Sequence, residues 1–164
     1  SSRVQRIAAL AMLCVVGSLA ACGSGGAESG SGSGPGQYAW ARQACVDGIN
    51  QYRATLGLKP YARWTSAESC ADGQARSDSQ SGTAHGAFTS GTTCGAFAQN
   101  ECPNWSSVGS IVTHCLQQMW YEGPGSGSEA HAHYINMSSM KYSSVACGFY
   151  VTPQGAVWGV QNFR

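Results

Sequence analysis

Residues 145–163 read Val-Ala-Cys-Gly-Phe-Tyr-Val-Thr-Pro-Gln-Gly-Ala-Val-Trp-Gly-Val-Gln-Asn-Phe. Up to Val151 the larger apolar side chains fall on every second residue, which is the period of a β-strand. Thr152–Gly155 contains typical turn residues, and an apolar and aromatic run extends from Ala156 to Phe163. This stretch therefore predicts a β-hairpin with a short connection.

Upstream of the hairpin, apolar residues recur at helical spacing. The pattern predicts helices over residues 39–56 and 108–121. Thr65-Ser66-Ala67-Glu68 matches a capping box and predicts another helix over residues 66–79, whose small alanine face indicates close approach to a second element. Residues 80–106 are rich in Gly, Ser and Thr, so we expect a long ordered loop with one short helical turn. Helices that precede an antiparallel pair indicate an α+β sandwich.

The first 21 residues have the features of a secretory signal. Arg3 and Arg6 precede a short apolar run over residues 7–16, and small residues follow. Leu19-Ala20-Ala21-Cys22 resembles the lipobox of bacterial lipoproteins, in which the cysteine is acylated. The alternative is an ordinary signal peptide in which Cys22 carries no lipid. No segment reaches the roughly 20 apolar residues of a membrane-spanning helix.

Residues 22–37 combine the lipidated cysteine with a Gly/Ser-rich tether, and residues 38–164 form the predicted domain. Two acyl chains or more would anchor the protein to a membrane stably. Gly23 follows the cysteine, which favours outer-membrane display over retention at the inner membrane. We therefore expect an exported protein that faces the periplasm or the cell surface.

The charge of the chain excludes one class of partner. Of its nine Lys and Arg residues, Arg3 and Arg6 leave with the signal. The remaining chain has seven Lys and Arg residues and eight Asp and Glu residues. No basic patch appears, and we expect no binding of nucleic acid.

Six cysteines remain in the domain once Cys14 leaves with the signal and Cys22 takes lipid. An even number in an exported domain indicates a disulfide framework, whereas a zinc–thiolate site is the competing interpretation and lacks a Cys-x-x-Cys pair. We predict a disulfide between Cys94 and Cys102, which would close a short loop beside Glu101. The other pairings stay open.

Several short motifs follow one another in the order of a known family. They are Asn50-Gln51-Tyr52-Arg53, Asn100-Glu101, Trp120-Tyr121-Glu122, Ala132-His133-Tyr134-Ile135-Asn136-Met137 and Val145-Ala146-Cys147-Gly148. Together they resemble the CAP domain, also called the SCP domain, of cysteine-rich secretory proteins, antigen 5 and pathogenesis-related proteins. The departures are Ala132 in place of glycine, a glutamate that follows Asn100 instead of preceding it, and a Trp120–Glu122 spacing one residue shorter.

The resemblance implies a three-layer α-β-α sandwich with a central antiparallel sheet and a cleft. It also implies that His85, Glu101, Glu122 and His133 line this cleft as a His/Glu tetrad. In some members of the family the two histidines bind zinc or another divalent cation, so His85 and His133 are the metal-ligand candidates here.

Residue chemistry gives the tetrad several uses. Glu101 and Glu122 could serve as a general base and as a group that orients the histidines. The alternative is that each carboxylate satisfies buried backbone donors. His131 and His133 would project to one side if their segment were extended. Protons compete with metal for imidazole, so we expect divalent-ion affinity to weaken below about pH 6.5.

Two functions follow from this site. The first is a non-catalytic cleft that binds a lipid, a cell-wall component or a protein partner. The second is a metal-assisted hydrolase or protease that uses the same tetrad. The sequence lacks a Gly-x-Ser-x-Gly elbow, and catalytic zinc usually has three protein ligands, so binding is favoured.

Overall fold

The computed structural model describes Gly36, residues 38–126 and residues 128–164. Its helices are α1 (Ala39–Thr55), α2 (Glu68–Ser81), α3 (Gly86–Thr89), α4 (Val108–Ser110), α5 (Leu116–Tyr121) and α6 (Ser128–Ser138). Its strands are β1 (Ala62–Arg63), β2 (Ala98–Trp105), β3 (Ser144–Val151) and β4 (Val157–Phe163). The predicted signal peptide, the candidate lipidation site Cys22 and most of the tether lie outside the described residues.

The strands form one sheet in the order β1-β3-β4-β2. The three long strands are antiparallel, and the two-residue β1 adds to β3 in parallel. The predicted hairpin is β3–β4, which closes with Val151 opposite Val157. Because β2 pairs only with β4 in this order, it forms a free edge of the sheet.

Helices cover both faces of the sheet. On one face, Ala71 and Ala75 of α2 pack against Trp158 and Val160. The contact is close, because a Cβ atom on Gly148 of β3 would lie 2.4 Å from the α2 backbone. The other face carries the main core, whose largest buried members are Ile49, Ile111, Leu116, Met137, Phe149 and Phe163. The α+β sandwich predicted from the sequence is confirmed.

Three disulfides cross-link the domain, and none of them is the predicted Cys94–Cys102 bridge. The pairs are Cys45–Cys147, Cys70–Cys94 and Cys102–Cys115. Cys94 lies beside α2, where it bonds Cys70, whereas Cys102 lies inside β2 and is buried with Cys115 in the main core. The two cysteines therefore belong to opposite faces of the sheet, which short sequence separation does not reveal.

The helices differ from the sequence predictions at their ends. No side-chain capping bond forms at Thr65, because residues Thr65–Ala67 make a 3₁₀ turn before α2. Glu68 instead pairs with Arg63, with Nε to Oε1 at 2.5 Å. The predicted helix over residues 108–121 is present, with a π-helical turn at Ile111–Cys115 between α4 and α5.

Three elements were not predicted: the two-residue strand β1, the strand β2 and the helix α6. Residues 80–106 contain the short helix α3, as expected, but also the eight-residue strand β2. His131 and His133 lie in α6 and not in an extended segment. Side chains two apart on a helix diverge, so the one-sided projection expected of an extended segment does not apply to this pair.

Candidate functional site

His85 lies between α2 and α3 and is held by β2. Its backbone is left-handed, with φ of 60°, and its amide donates to Oε2 of Glu101. Its ring Nδ1 lies 2.8 Å from Oε1 of Gln99. Gln99 and Glu101 alternate with Asn100 along the strand, so both side chains face the α2 side of the sheet. Two residues of one strand therefore fix the position of this imidazole.

Glu101 faces a second buried carboxyl group, Asp78 of α2. The Glu101 side chain has no exposed surface, and Asp78 is also 0 % exposed. Burial raises the pKa of Glu101 to about 8, with the charge and hydrogen bond of Asp78 acting in the same direction and the His85 amide opposing it. Among the described residues, Oε1 of Glu101 and Oδ2 of Asp78 meet no donor. One shared proton would satisfy both oxygens.

This environment changes the role open to Glu101. A general base must reach the molecule that it deprotonates, and this carboxyl group is enclosed. It supports the His85 backbone instead, while Asp78 supports the next turn by accepting from the Ala87 amide at 2.6 Å. Of the two interpretations left open by the sequence, satisfying buried backbone donors fits Glu101.

His133 is held from the other side by Glu122 and Asn100. Its Nδ1 lies 2.5 Å from Oε1 of Glu122, whose Oε2 accepts from the His133 amide at 3.0 Å and from the Tyr134 amide at 3.3 Å. The fully buried Asn100 donates to the His133 carbonyl at 3.1 Å and accepts from Asn136 at 2.9 Å. Glu122 thus orients the imidazole as well as capping backbone amides.

The two imidazoles meet beyond the free edge of β2. Their ring centroids lie 6.4 Å apart with 26° between the planes. Each ring uses Nδ1 for its protein hydrogen bond, so Nε2 is the nitrogen left for another partner. The side chains are 35 % exposed for His85 and 29 % for His133, so both rings are accessible. The geometry brings all four tetrad residues together, while their function stays a prediction.

His131 takes a different position from its neighbour. Its Nδ1 lies 2.7 Å from the carbonyl oxygen of Glu122 and 2.9 Å from that of Gly123. It therefore fixes the turn after α5.

A groove of about 540 Å³ extends from His133 along β2, and His85 is not among its lining residues. One wall runs from Glu101 to Ser106, and the other comes from the π-helical turn and α5, including Gln118 and Met119. Glu122 and His133 line the end that carries the tetrad.

Sequence reasoning missed the polar residues that support the tetrad. Gln99 donates to Asn162 at 3.2 Å, and Asn162 donates to Gln74 at 2.7 Å, so a chain of buried amides runs from His85 into the α2 layer. These partners lie 63 and 88 positions apart. No local pattern signals such pairs.

The donor set can be compared with what a divalent metal requires. Metal-binding histidines usually donate one ring nitrogen to a carboxylate or carbonyl oxygen and ligate through the other, and both tetrad histidines have this arrangement. Within the described ranges, however, no group of three or more His, Cys, Asp and Glu side chains is placed to hold a metal ion. His85 and His133 therefore fit a two-ligand site that needs further ligands from water or a bound molecule.

Comparison with known proteins identifies the family. Residues 46–163 match the model of the cysteine-rich secretory protein family, CAP. The chain belongs to the CAP family. A solved structure titled "Structure of BmVAL-1" superposes with a TM-score of 0.59 at 16 % identity and covers 75 % of each chain, which shows a shared fold. No curated protein matches this sequence.

CAP membership and three disulfides indicate a secreted or extracellular protein. In the part of this CAP protein that the structure describes, none of the helices has the length and apolar character needed to cross a bilayer.

Proposed function

We propose that this CAP protein is exported, anchored through lipid on Cys22, and binds a ligand in the cleft of His85, Glu101, Glu122 and His133. The observation that carries the proposal is the pair of imidazoles, which lie 6.4 Å apart with both Nδ1 atoms already hydrogen-bonded. Such side chains are oriented before any ligand arrives, so less ordering is needed on binding. The ligand is a lipid, a cell-wall component or a protein partner.

The chemistry of the cleft favours binding over catalysis. The enclosed Glu101 shares its environment with Asp78, and Glu122 already bonds His133 and two backbone amides. The six domain cysteines are all in disulfides, so none is a free thiol. Because these carboxyl groups are already bonded to other protein groups, the cleft is suited to bind a ligand through the two imidazole Nε2 atoms and the groove.

Zn²⁺ or another divalent cation would be held by His85 and His133. When bound, such an ion would act as a Lewis acid that coordinates an oxygen or nitrogen atom of the ligand. The protein residues orient the rings, with Gln99 and Glu122 as the hydrogen-bond partners that leave Nε2 unprotonated.

The cleft function is tested with the purified mature protein and a His85→Ala/His133→Ala double variant. Molecules that co-purify are extracted and identified by mass spectrometry, and generic peptide and ester substrates are assayed with and without chelator. We expect a co-purifying ligand that the double variant loses, and no turnover. Turnover that is sensitive to chelator and lost in the double variant would instead establish the hydrolase.

Anchoring is tested separately by expressing the chain with Cys22→Ser and labelling cells with a fatty-acid analogue. We expect label and membrane fractionation for the parent chain and neither for the variant. Equal labelling of both chains would refute lipidation at Cys22.

A further inference from the structure

The far end of the groove is built from polar side chains that the tetrad does not use. Asn104 and Ser106 are exposed at the end of β2, and Gln118 is exposed on the facing helix α5. Half-buried Trp105 lies between the first two and also lines the groove. Amides and a hydroxyl group beside an indole ring can bind a ligand that is rich in hydroxyl groups.

Asn104 is held in position before any ligand binds. The register of β2 with β4 shifts between Cys102 and Trp105, and Asn104 takes a left-handed φ of 58° in this bulge. Its Oδ1 accepts from the indole N–H of Trp158 at 3.0 Å. This bond fixes the orientation of the amide, so that its NH₂ group is left as a donor.

The facing wall is one side of a helix. Cys115, Gln118, Met119 and Glu122 line the groove at i, i+3, i+4 and i+7 spacing, which places them along one helical face. The π-helical turn Ile111–Cys115 ends at the first of these residues, and such turns are frequent at functional sites. Gln118 is the exposed amide on this face.

The charges of the groove restrict its ligand. Its lining includes Glu101, Glu122 and His133 but no lysine or arginine. Without a bound metal, His133 is the one lining side chain able to carry positive charge, and it is already bonded to Glu122, so a fatty acid or a sulfated glycan would meet little opposite charge there. A purely apolar chain would leave the amides of Asn104 and Gln118 without partners on losing water, which is costly.

We propose that this groove is a subsite for an uncharged oligosaccharide, bound by Asn104, Ser106 and Gln118 with a sugar ring packed on Trp105. The proposal rests on the proposed function, since it selects one ligand class for the same cleft. Sugar hydroxyl groups both donate and accept, so they match an amide NH₂, an amide oxygen and a hydroxyl group. The apolar face of a sugar ring matches an indole surface.

The test is calorimetric titration of the mature protein with a neutral tetrasaccharide of N-acetylglucosamine. The variant Gln118→Ala removes one groove amide, and Gln117→Ala is its control, because Gln117 is also exposed on the same helix and does not line the groove. We expect Gln118→Ala to weaken binding about fivefold, the worth of one net hydrogen bond, and Gln117→Ala to leave it unchanged. Heparin oligosaccharide and lauric acid should bind at least tenfold more weakly than the tetrasaccharide.

Three results would overturn the proposal. They are absence of tetrasaccharide binding, equal affinity of Gln118→Ala and wild type, and tighter binding of the anionic glycan or the fatty acid. His85→Ala/His133→Ala separates this proposal from the cleft function. If the double variant loses a co-purified ligand but the wild-type protein does not bind the tetrasaccharide, the cleft function is supported and the glycan subsite is refuted. A melting temperature of Gln118→Ala equal to that of the wild-type protein shows that the variant is folded.

Discussion

Asp78 and Glu101 place two carboxyl groups against each other inside the protein, one from α2 and one from the edge strand β2. Glu101 in turn accepts from the backbone amide of His85. A buried acid pair therefore lies directly behind one imidazole of the cleft. Its protonation links the stability of the fold to pH.

The first prediction concerns this pH dependence. The pKa of Glu101 is raised from 4.5 to about 8 in the folded protein, with burial as the largest cause. The folded state therefore holds a proton that the unfolded chain releases, and stability falls as pH rises from about 4.5 to about 8. The total change is on the order of a few kcal/mol. Urea unfolding at pH 5, 6, 7 and 8 measures it.

Glu101→Gln is the matched variant, because glutamine has a similar shape and does not titrate. It should flatten the fall in stability between pH 5 and pH 8. A stability profile of this variant that keeps the wild-type slope would show that Glu101 does not titrate in this range.

The second prediction concerns Asn100, which ties β2 to α6. Asn100→Ala removes the donor to the His133 carbonyl and the shorter of the two bonds that the Asn136 amide makes, both at partly buried positions. We expect a loss of stability of about 2–4 kcal/mol and a disturbed His133 ring signal in NMR spectra. Gln43→Ala is the control, since Gln43 is exposed and bonds the nearby Asp47. Equal stability of the two variants would contradict this role.

The third prediction concerns the contact between α2 and β3. Gly148→Ala would place a Cβ atom 2.4 Å from Ala71 and Asp72 backbone atoms, so the helix must move away. We expect destabilisation of about 1–3 kcal/mol or more. Gly73→Ala in α2 is the control, because its new methyl group would have no atom within 4 Å apart from its chain neighbours and the backbone of its own helix. It should stabilise the protein by about 0.5–1 kcal/mol. Similar melting temperatures for both variants would refute the close packing.

The fourth prediction concerns the disulfides. Peptide mapping of the unreduced protein should recover Cys45–Cys147, Cys70–Cys94 and Cys102–Cys115. Replacing Cys45 and Cys147 together by alanine should cost more stability than replacing Cys102 and Cys115. The sequence separations are 102 and 13, and the entropy of the unfolded chain rises with the loop released. A peptide that links Cys94 to Cys102 would contradict this framework.

The sequence predicted the elements that have a clear apolar pattern. α1 buries apolar residues at helical spacing, and the hairpin was indicated by the alternation of larger apolar residues in β3 and by the apolar run of β4, although both strands are buried along most of their length. β2 was missed because it buries Gln99, Asn100 and Glu101 in succession, and their hydrogen bonds go to side chains and amides far away in the chain. α6 was missed because its residues have little apolar periodicity.

The candidate site divides in the same way. The tetrad was found through a family resemblance that rests on the order of several short motifs. Asp78, Gln74 and Asn162 were not found, since each acts through a contact that exists only once α2 lies on the sheet. The pairing of Cys94 was predicted wrongly for a related reason, because the face to which a cysteine points depends on a strand that the pattern did not reveal.

The most direct measurement for the account is a zinc titration that follows the imidazole NMR signals of His85 and His133 together. Both rings should respond over the same zinc concentrations, the binding should weaken on acidification, and His114→Ala should change nothing, because that histidine is exposed outside the cleft. Rings that respond at different zinc concentrations, or binding that survives His85→Ala/His133→Ala, would contradict a single cleft formed by these two residues.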